Sequence, residues 1–192
     1  MKKIVLSAVG ALMILTASNA LGAGVTVLGV TVGVSKYSSV SALLAKKEGP
    51  TQMQLARYHR FSDLATGPAL ITTHYDYGVQ GLSTVLYEFD SRKILKAVVL
   101  DFDMKRFSKI FSYLNGKYDL MKTNRHGFMD TDKYALFQAG DYWVYEHQPF
   151  MPTSLSSPSM QVIYASPTAW GRLLKKEDLR KLMKRKEEAS KF

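Results

Sequence analysis

The sequence predicts an α+β fold: an antiparallel sheet with helices packed on one face, compatible with two helix-plus-strands units, followed by a basic C-terminal helix. Three observations predict it. Short β-branched and aromatic runs of strand length recur along the chain, separated by turn-forming residues. Two segments with apolar residues at helical spacing interrupt them. The end of the chain then changes to dense charge on a thin line of leucines.

Ahead of the first strand, Met1, Lys2 and Lys3 precede an apolar run from Ile4 to Thr16. Ala17-Ser18-Asn19-Ala20 places small residues at the −3 and −1 positions of a cut after Ala20. This is the pattern of a secretory signal peptide, and the run is shorter than the roughly 20 residues a membrane span needs. The expectation is a periplasmic or secreted chain beginning at Leu21. Residues 21–170 then form one α+β domain, with possible sub-units 25–102 and 103–170, and 171–192 a basic helical tail.

The first unit opens on the strand-like stretch Val25-Thr26-Val27-Leu28-Gly29-Val30-Thr31-Val32-Gly33-Val34. Ser35 is placed to cap a helix over Lys36 to Lys47, whose Tyr37, Val40, Leu43 and Leu44 share a face. Gly49-Pro50 ends it. Strands follow at Gln52–Arg60, Ala69–Tyr75, Ser83–Phe89 and Ile94–Phe102, with Tyr77–Gly81 and Asp90–Lys93 as connections. Asp103 caps the second helix, whose stripe is Met104, Phe107, Ile110, Phe111 and Leu114, and Asn115-Gly116 stops it. The last strands are Tyr118–Lys122, Tyr134–Gln138, Tyr142–His147 and Met160–Ala165, the middle pair joined at Ala139-Gly140-Asp141. Lys175 to Lys191 is helical by propensity.

Charge narrows the function. The chain holds 26 Lys+Arg against 16 Asp+Glu, a net +10. Nine basic and four acidic residues fall between Gly171 and Phe192, so half of that excess sits in the tail. A basic tail, not a basic face, argues against nucleic acid as partner. It suits an anionic membrane surface or cell-wall polymer, through Lys175, Lys176, Arg180, Lys181, Lys184, Arg185 and Lys186. The absence of cysteine excludes disulfides and thiolate zinc sites.

Catalytic and metal patterns are weak. His59, His74, His126 and His147 have no ligand spacing and read as surface or edge residues, so no metal and no cofactor is expected. Asp101 and Asp103 alternate onto one face, but capping already uses Asp103. Asp130-Thr131-Asp132 lacks the remaining ligands and glycine of a calcium loop and reads as a solvated turn. Gly29 and Gly33 read as strand ends, not a phosphate loop, and no Gly-x-Ser-x-Gly elbow occurs. No catalytic residue is assigned. The alternative, a cell-envelope hydrolase, would use carboxylates such as Asp101 and Glu88. A small apolar ligand held between helix and sheet is the third reading.

The aromatic strand Tyr142, Trp143, Tyr145 and the proline-framed loop carrying Phe150, Met151 and Leu155 form the candidate partner-binding surface. Trp143 and Tyr145 equally suit core or cross-strand packing.

Gly33-Val34-Ser35-Lys36-Tyr37, with Val40 and Leu44 following on the helix, resembles the repeat of β-lactamase-inhibitor-protein-like modules, which small outer-membrane-assembly lipoproteins of bacteria share. Tyr87-Glu88-Phe89-Asp90, with Leu95 and Val98, resembles the hairpin those modules place after the helix. The resemblance spans about Leu28 to Tyr118. It implies an exported protein-binding module without enzyme activity: an inhibitor or immunity protein, or an accessory factor of an envelope complex. There is no lipobox cysteine, and the second helix lacks the glycine-Ser/Thr opening.

Overall fold

The β-branched stretch at residues 25–34 folds into a ribbon, not one strand. In the computed structural model, which describes residues 24–48, 64–72, 77–125, 132–149, 159–175 and 178, β1 (Thr26–Val27) pairs antiparallel with β2 (Val30–Thr31). Leu28 and Gly29 turn the chain with consecutive positive φ of 50° and 82°, the signature of a tight primed hairpin turn. Val25, Val27, Val30 and Val32 are all buried.

Helix α1 (Tyr37–Glu48) buries Val40 and Leu44, and Tyr37 and Leu43 pack beside them. Ser35 does not cap it. Lys36 bridges to Ile94, so the chain enters the helix directly from a β-contact. The Tyr37 amide donates to Lys93 O (2.9 Å), and Ser35 Oγ turns back to accept the Thr31 amide (2.9 Å). Gly49-Pro50 and the strand expected at Gln52–Arg60 lie outside the described residues.

The main sheet contains β3 (Ala69–Thr72), β4 (Leu82–Phe89), β5 (Leu95–Asp103), β6 (Asp119–Asn124), β7 (Lys133–Ala139), β8 (Tyr142–Gln148) and β9 (Ser159–Ala165). It is antiparallel throughout, in the order β3-β4-β5-β9-β8-β7-β6. Local connections build two groups, β3–β5 and β6–β8. The last strand, β9, enters between them and pairs with β5 on one side and β8 on the other.

Expected turns are seen. Asp90 Oδ1 accepts the amides of Arg92 (3.0 Å) and Ile94 (2.9 Å), an Asx arrangement that closes the β4–β5 turn. Gly140, at φ 60°, turns β7 into β8. Asp103 caps as anticipated, its Oδ1 accepting the Lys105 amide at 2.9 Å. The first turn after it, Met104–Arg106, is 3-10, and α2 (Phe107–Asn115) follows, burying Phe107, Phe111 and Leu114.

Alternation along each strand builds two cores. On one face, Val85, Tyr87, Phe89, Val98, Leu100, Phe102, Phe137, Val144, Val162 and Tyr164 pack under the ribbon, α1 and α2. Tyr37 meets Phe89 edge-on at 5.2 Å, and Phe111 meets Phe137 at 5.8 Å. On the other face, Leu86, Val99 and Ile163 pack with Ala169, Trp170 and Leu173. These last belong to α3, a helix over 167–175. The helix expected to start at Lys175 thus starts earlier. Ser166 Oγ accepts the Ala169 amide (3.3 Å) and Pro167 sits in the first turn, where its missing N–H costs nothing. Leu173 is buried, Leu174 is exposed, and Leu179 onward lies outside the described residues. Among the described residues, no helix is long and apolar enough to cross a membrane.

Candidate functional site

Register brings the chemistry-bearing residues into one line. Thr84 faces Asp101, Asp101 faces Gln161, Gln161 faces His147, and His147 faces Tyr134, across five strands. All lie on the α3 face, the side that Val99 and Ile163 share with Trp170. Gln161 Nε2 donates to Asp101 Oδ1 at 2.7 Å. Burial pushes the Asp101 carboxyl above the usual carboxylate range, and the Gln161 bond opposes that rise. His147 Nε2 lies 2.7 Å from Asp132 Oδ2. Beside the line, Tyr145 stacks on His147 at 5.7 Å and tilts against Trp170 at 5.7 Å, while Trp143 stacks on Trp170 at 5.6 Å.

The spacing decides what this strip can do. Strands lie ~4.8 Å apart, so Thr84 is three spacings, roughly 14 Å, from His147. That is far beyond the hydrogen-bond reach a nucleophile and its base require. Glu88 and Asp101 share this face, but Glu88 pairs with Ala97, four positions along β5 from Asp101. At ~3.3 Å per residue the separation is roughly 13 Å, with Leu86 and Val99 between. Paired glycosidase carboxylates stand about 5–9.5 Å apart. The strip is a hydrogen-bonded row in which Gln161 and Asp132 each satisfy a buried neighbour.

His147 corrects the expectation of a surface or edge histidine. It is buried on an interior strand, because β9 covers the edge that β8 would otherwise present. Asp132, its side chain 38% exposed, is tied to that histidine. His59, His74, His126, Asp130 and Thr131 lie outside the described residues. Among the described residues, no group of three or more His, Cys, Asp and Glu could hold a metal ion.

The opposite face holds a different acid. Glu146 follows Val144 on β8, opposite Val162 and Ala135, and is completely buried under α2. Neither of its carboxyl oxygens has a hydrogen-bond partner, and the nearby Tyr118 hydroxyl is also buried without one. Burial raises the Glu146 carboxyl to about 8; the charge of Arg125 and the Phe111 amide, which faces it without completing a bond, pull the other way. Burial likewise pushes the Tyr118 and Tyr164 phenols above their ordinary range.

The third feature is a sheet edge that no strand among the described residues covers. β6 ends the main sheet, and its residues are exposed from Asp119 to Thr123. Leu120 is 40% exposed and Met121 53%, and Tyr113, in the last turn of α2, is 42% exposed. The register with β7 slips between Leu120 and Lys122, which makes Met121 a bulge. From Lys117 to Arg125 the segment carries three cations, Lys117, Lys122 and Arg125, and one carboxylate, Asp119.

The aromatic residues singled out from sequence divide between faces. Trp143 and Tyr145 are half-buried against Trp170. Tyr142 packs on the other face, its hydroxyl against Gly33, where any Cβ would collide with it. Phe150, Met151 and Leu155 lie outside the described residues, as do Lys176, Arg180, Lys181, Lys184, Arg185 and Lys186; Lys175, on α3, is exposed. Sequence reasoning passed over the β6 edge because Leu120 and Met121 are ordinary in a strand; only the sheet order makes the strand terminal.

Comparison of the chain with protein-family models, with curated proteins and with solved structures gives no significant match.

Proposed function

We propose that this chain is an exported, non-catalytic protein-binding module, an inhibitor or accessory factor of an envelope complex, which takes an extended acidic segment of its partner along β6. The N-terminal residues support export by their composition: a basic start, a short apolar run and small residues before Leu21. The β6 edge, which no other described strand pairs, carries the binding reading. An unpaired strand presents backbone donors and acceptors in a row, and an added strand satisfies them. Leu120, Met121 and Tyr113 supply apolar contact there. Three cations against one carboxylate select an acidic partner.

A photo-crosslinking residue at Met121, expressed in the envelope, tests this. The expected result is one discrete adduct, lost when Leu120 is changed to Pro, which removes an amide donor from β6 and breaks its regular pairing. A crosslinker at Val34, exposed on the ribbon side, should give none. Equal adducts at both positions would reject the edge. Phe150→Ser with Met151→Ser in the same assay measures what the proline-framed loop contributes.

The tail supports a second contact. Its basic excess follows directly on a helix anchored by Trp170 and Leu173, so charge is tethered close to the domain. Sedimentation with anionic vesicles, with and without residues 176–192, should show binding only for the full tail. Equal partitioning rejects it.

A further inference from the structure

Glu146 and Arg125 are an acid and a base that the fold keeps apart. The Glu146 carboxyl is fully buried, and no described residue completes a hydrogen bond of good geometry to it. Native proteins seldom leave a buried polar group in that state, and each instance calls for a reason. Arg125, just after β6, is exposed, and its guanidinium lies over the Phe111 ring, 4.2 Å from the centroid. Phe111 is the residue they share: its ring carries the guanidinium and its amide faces the carboxyl. Between β8 and β6, the register places only Ala135 and Thr123. The side chains there are small.

The other groups facing this site cannot neutralise the carboxylate. Tyr164 on β9, Tyr118 before β6 and Tyr113 on α2 are phenols held protonated by burial. Lys117 lies over the Tyr113 and Tyr118 rings, at 5.7 and 5.2 Å. Among the described residues, Arg125 remains the cation whose charge acts on Glu146.

We propose that Glu146 and Arg125 are the two halves of a latent ion pair, and that deprotonation of Glu146 draws the guanidinium inward past Phe111, unseating α2 and reshaping the β6 edge. At low pH the carboxyl is neutral and α2 lies flat on the sheet. An ionised carboxylate in the same place has no partner unless one moves to it, and an unpaired buried charge is not tolerated. Arg125 is continuous with β6, so its inward movement pulls on that strand. The functional consequence rests on the docking reading above; the device itself does not.

Amide hydrogen exchange of the full chain at a series of pH values from 6 to 9, corrected for intrinsic base catalysis, tests it without any partner. The wild type should lose protection in α2 and β6 at least ~10-fold more than in β4 and β5, with a midpoint near 8. E146Q should show no such differential. R125Q should move the midpoint up by about one pH unit, because an opposite charge at close range favours the ionised acid by that order; R125K should restore part of it. A flat wild type, a transition that survives in E146Q, or an R125Q midpoint equal to the wild type's overturns the proposal. A crosslink at Met121 that fails while these exchange results hold would count against docking alone.

Discussion

The two faces of the sheet each bury acid, and they treat it in opposite ways. On the α3 face, Asp101 has Gln161 at 2.7 Å and Asp132 has His147 at 2.7 Å. On the α2 face, Glu146 has no hydrogen-bond partner and is the more deeply buried. A satisfied buried polar group is close to neutral for stability, whereas an unsatisfied one carries its full desolvation penalty. The difference teaches where the fold is settled and where it holds a second state in reserve. The polar strip is structural furniture; Glu146 is a cost that only some gain elsewhere explains.

The largest test of that contrast is the pH dependence of stability. The folded state holds Glu146 at about 8 against a reference of 4.5, so it keeps a proton the unfolded chain gives up. This group's contribution is therefore most favourable below pH 4.5, declines as pH rises towards 8, and is constant above. At pH 7.5 the three-unit interval corresponds to a penalty on the order of 4 kcal/mol. Glu146→Gln should then stabilise the protein by about that amount at pH 7.5 and by nearly nothing at pH 4. Urea titration at the two pH values checks it, and equal gains at both would deny Glu146 its special status.

Next in size is the aromatic seal of the settled face. Trp170→Ala removes the ring that Trp143 and Tyr145 pack against and should cost about 3 kcal/mol. The loss should expose Trp143 and Tyr145, read as faster exchange in β8 and β9. Gln161→Ala should cost roughly 2 kcal/mol near neutral pH, since it strips Asp101 of its amide. It should also raise the Asp101 carboxyl further, followed by carbon NMR; an unmoved titration would mean that the bond does not restrain it. Smallest of all, Met121→Ser on the exposed β6 edge should change stability by less than about 0.5 kcal/mol. A large loss there would mean the edge serves the fold and is not free for a partner.

Most of the strands were readable because each alternates or runs apolar between good turns. Asp103 was readable because an aspartate ahead of an apolar stripe has one obvious use. Local pattern failed where the outcome depends on register. Nothing within Met160–Ala165 says that it will separate β5 from β8, yet that choice alone buries His147. The row from Thr84 to Tyr134 exists only after five strands are aligned. Two other features were present but outshone. Alternation in Tyr142-Trp143-Val144-Tyr145-Glu146-His147 already puts Glu146 with Val144, facing the core, but its aromatic neighbours drew the reading outward. Ser166-Pro167 is an ordinary helix start, hidden by the denser charge downstream. Ser35 shows the converse: its side chain suits a cap, and the neighbouring turn at Lys93 reached the helix first.

The position of β9 sets the order in which the molecule can be made. Until residues 159–165 emerge, β5 and β8 each present a raw inner margin, and the two strand groups have no strand to join them. The step that unites the sheet uses contacts far apart in the chain, which form slowly. A chain paused or cut short before Ser159 would thus expose two adhesive borders at once, and a chaperone holding the unfinished polypeptide has its task defined by those borders. Completion of synthesis, not the first collapse, is the event that makes this molecule whole.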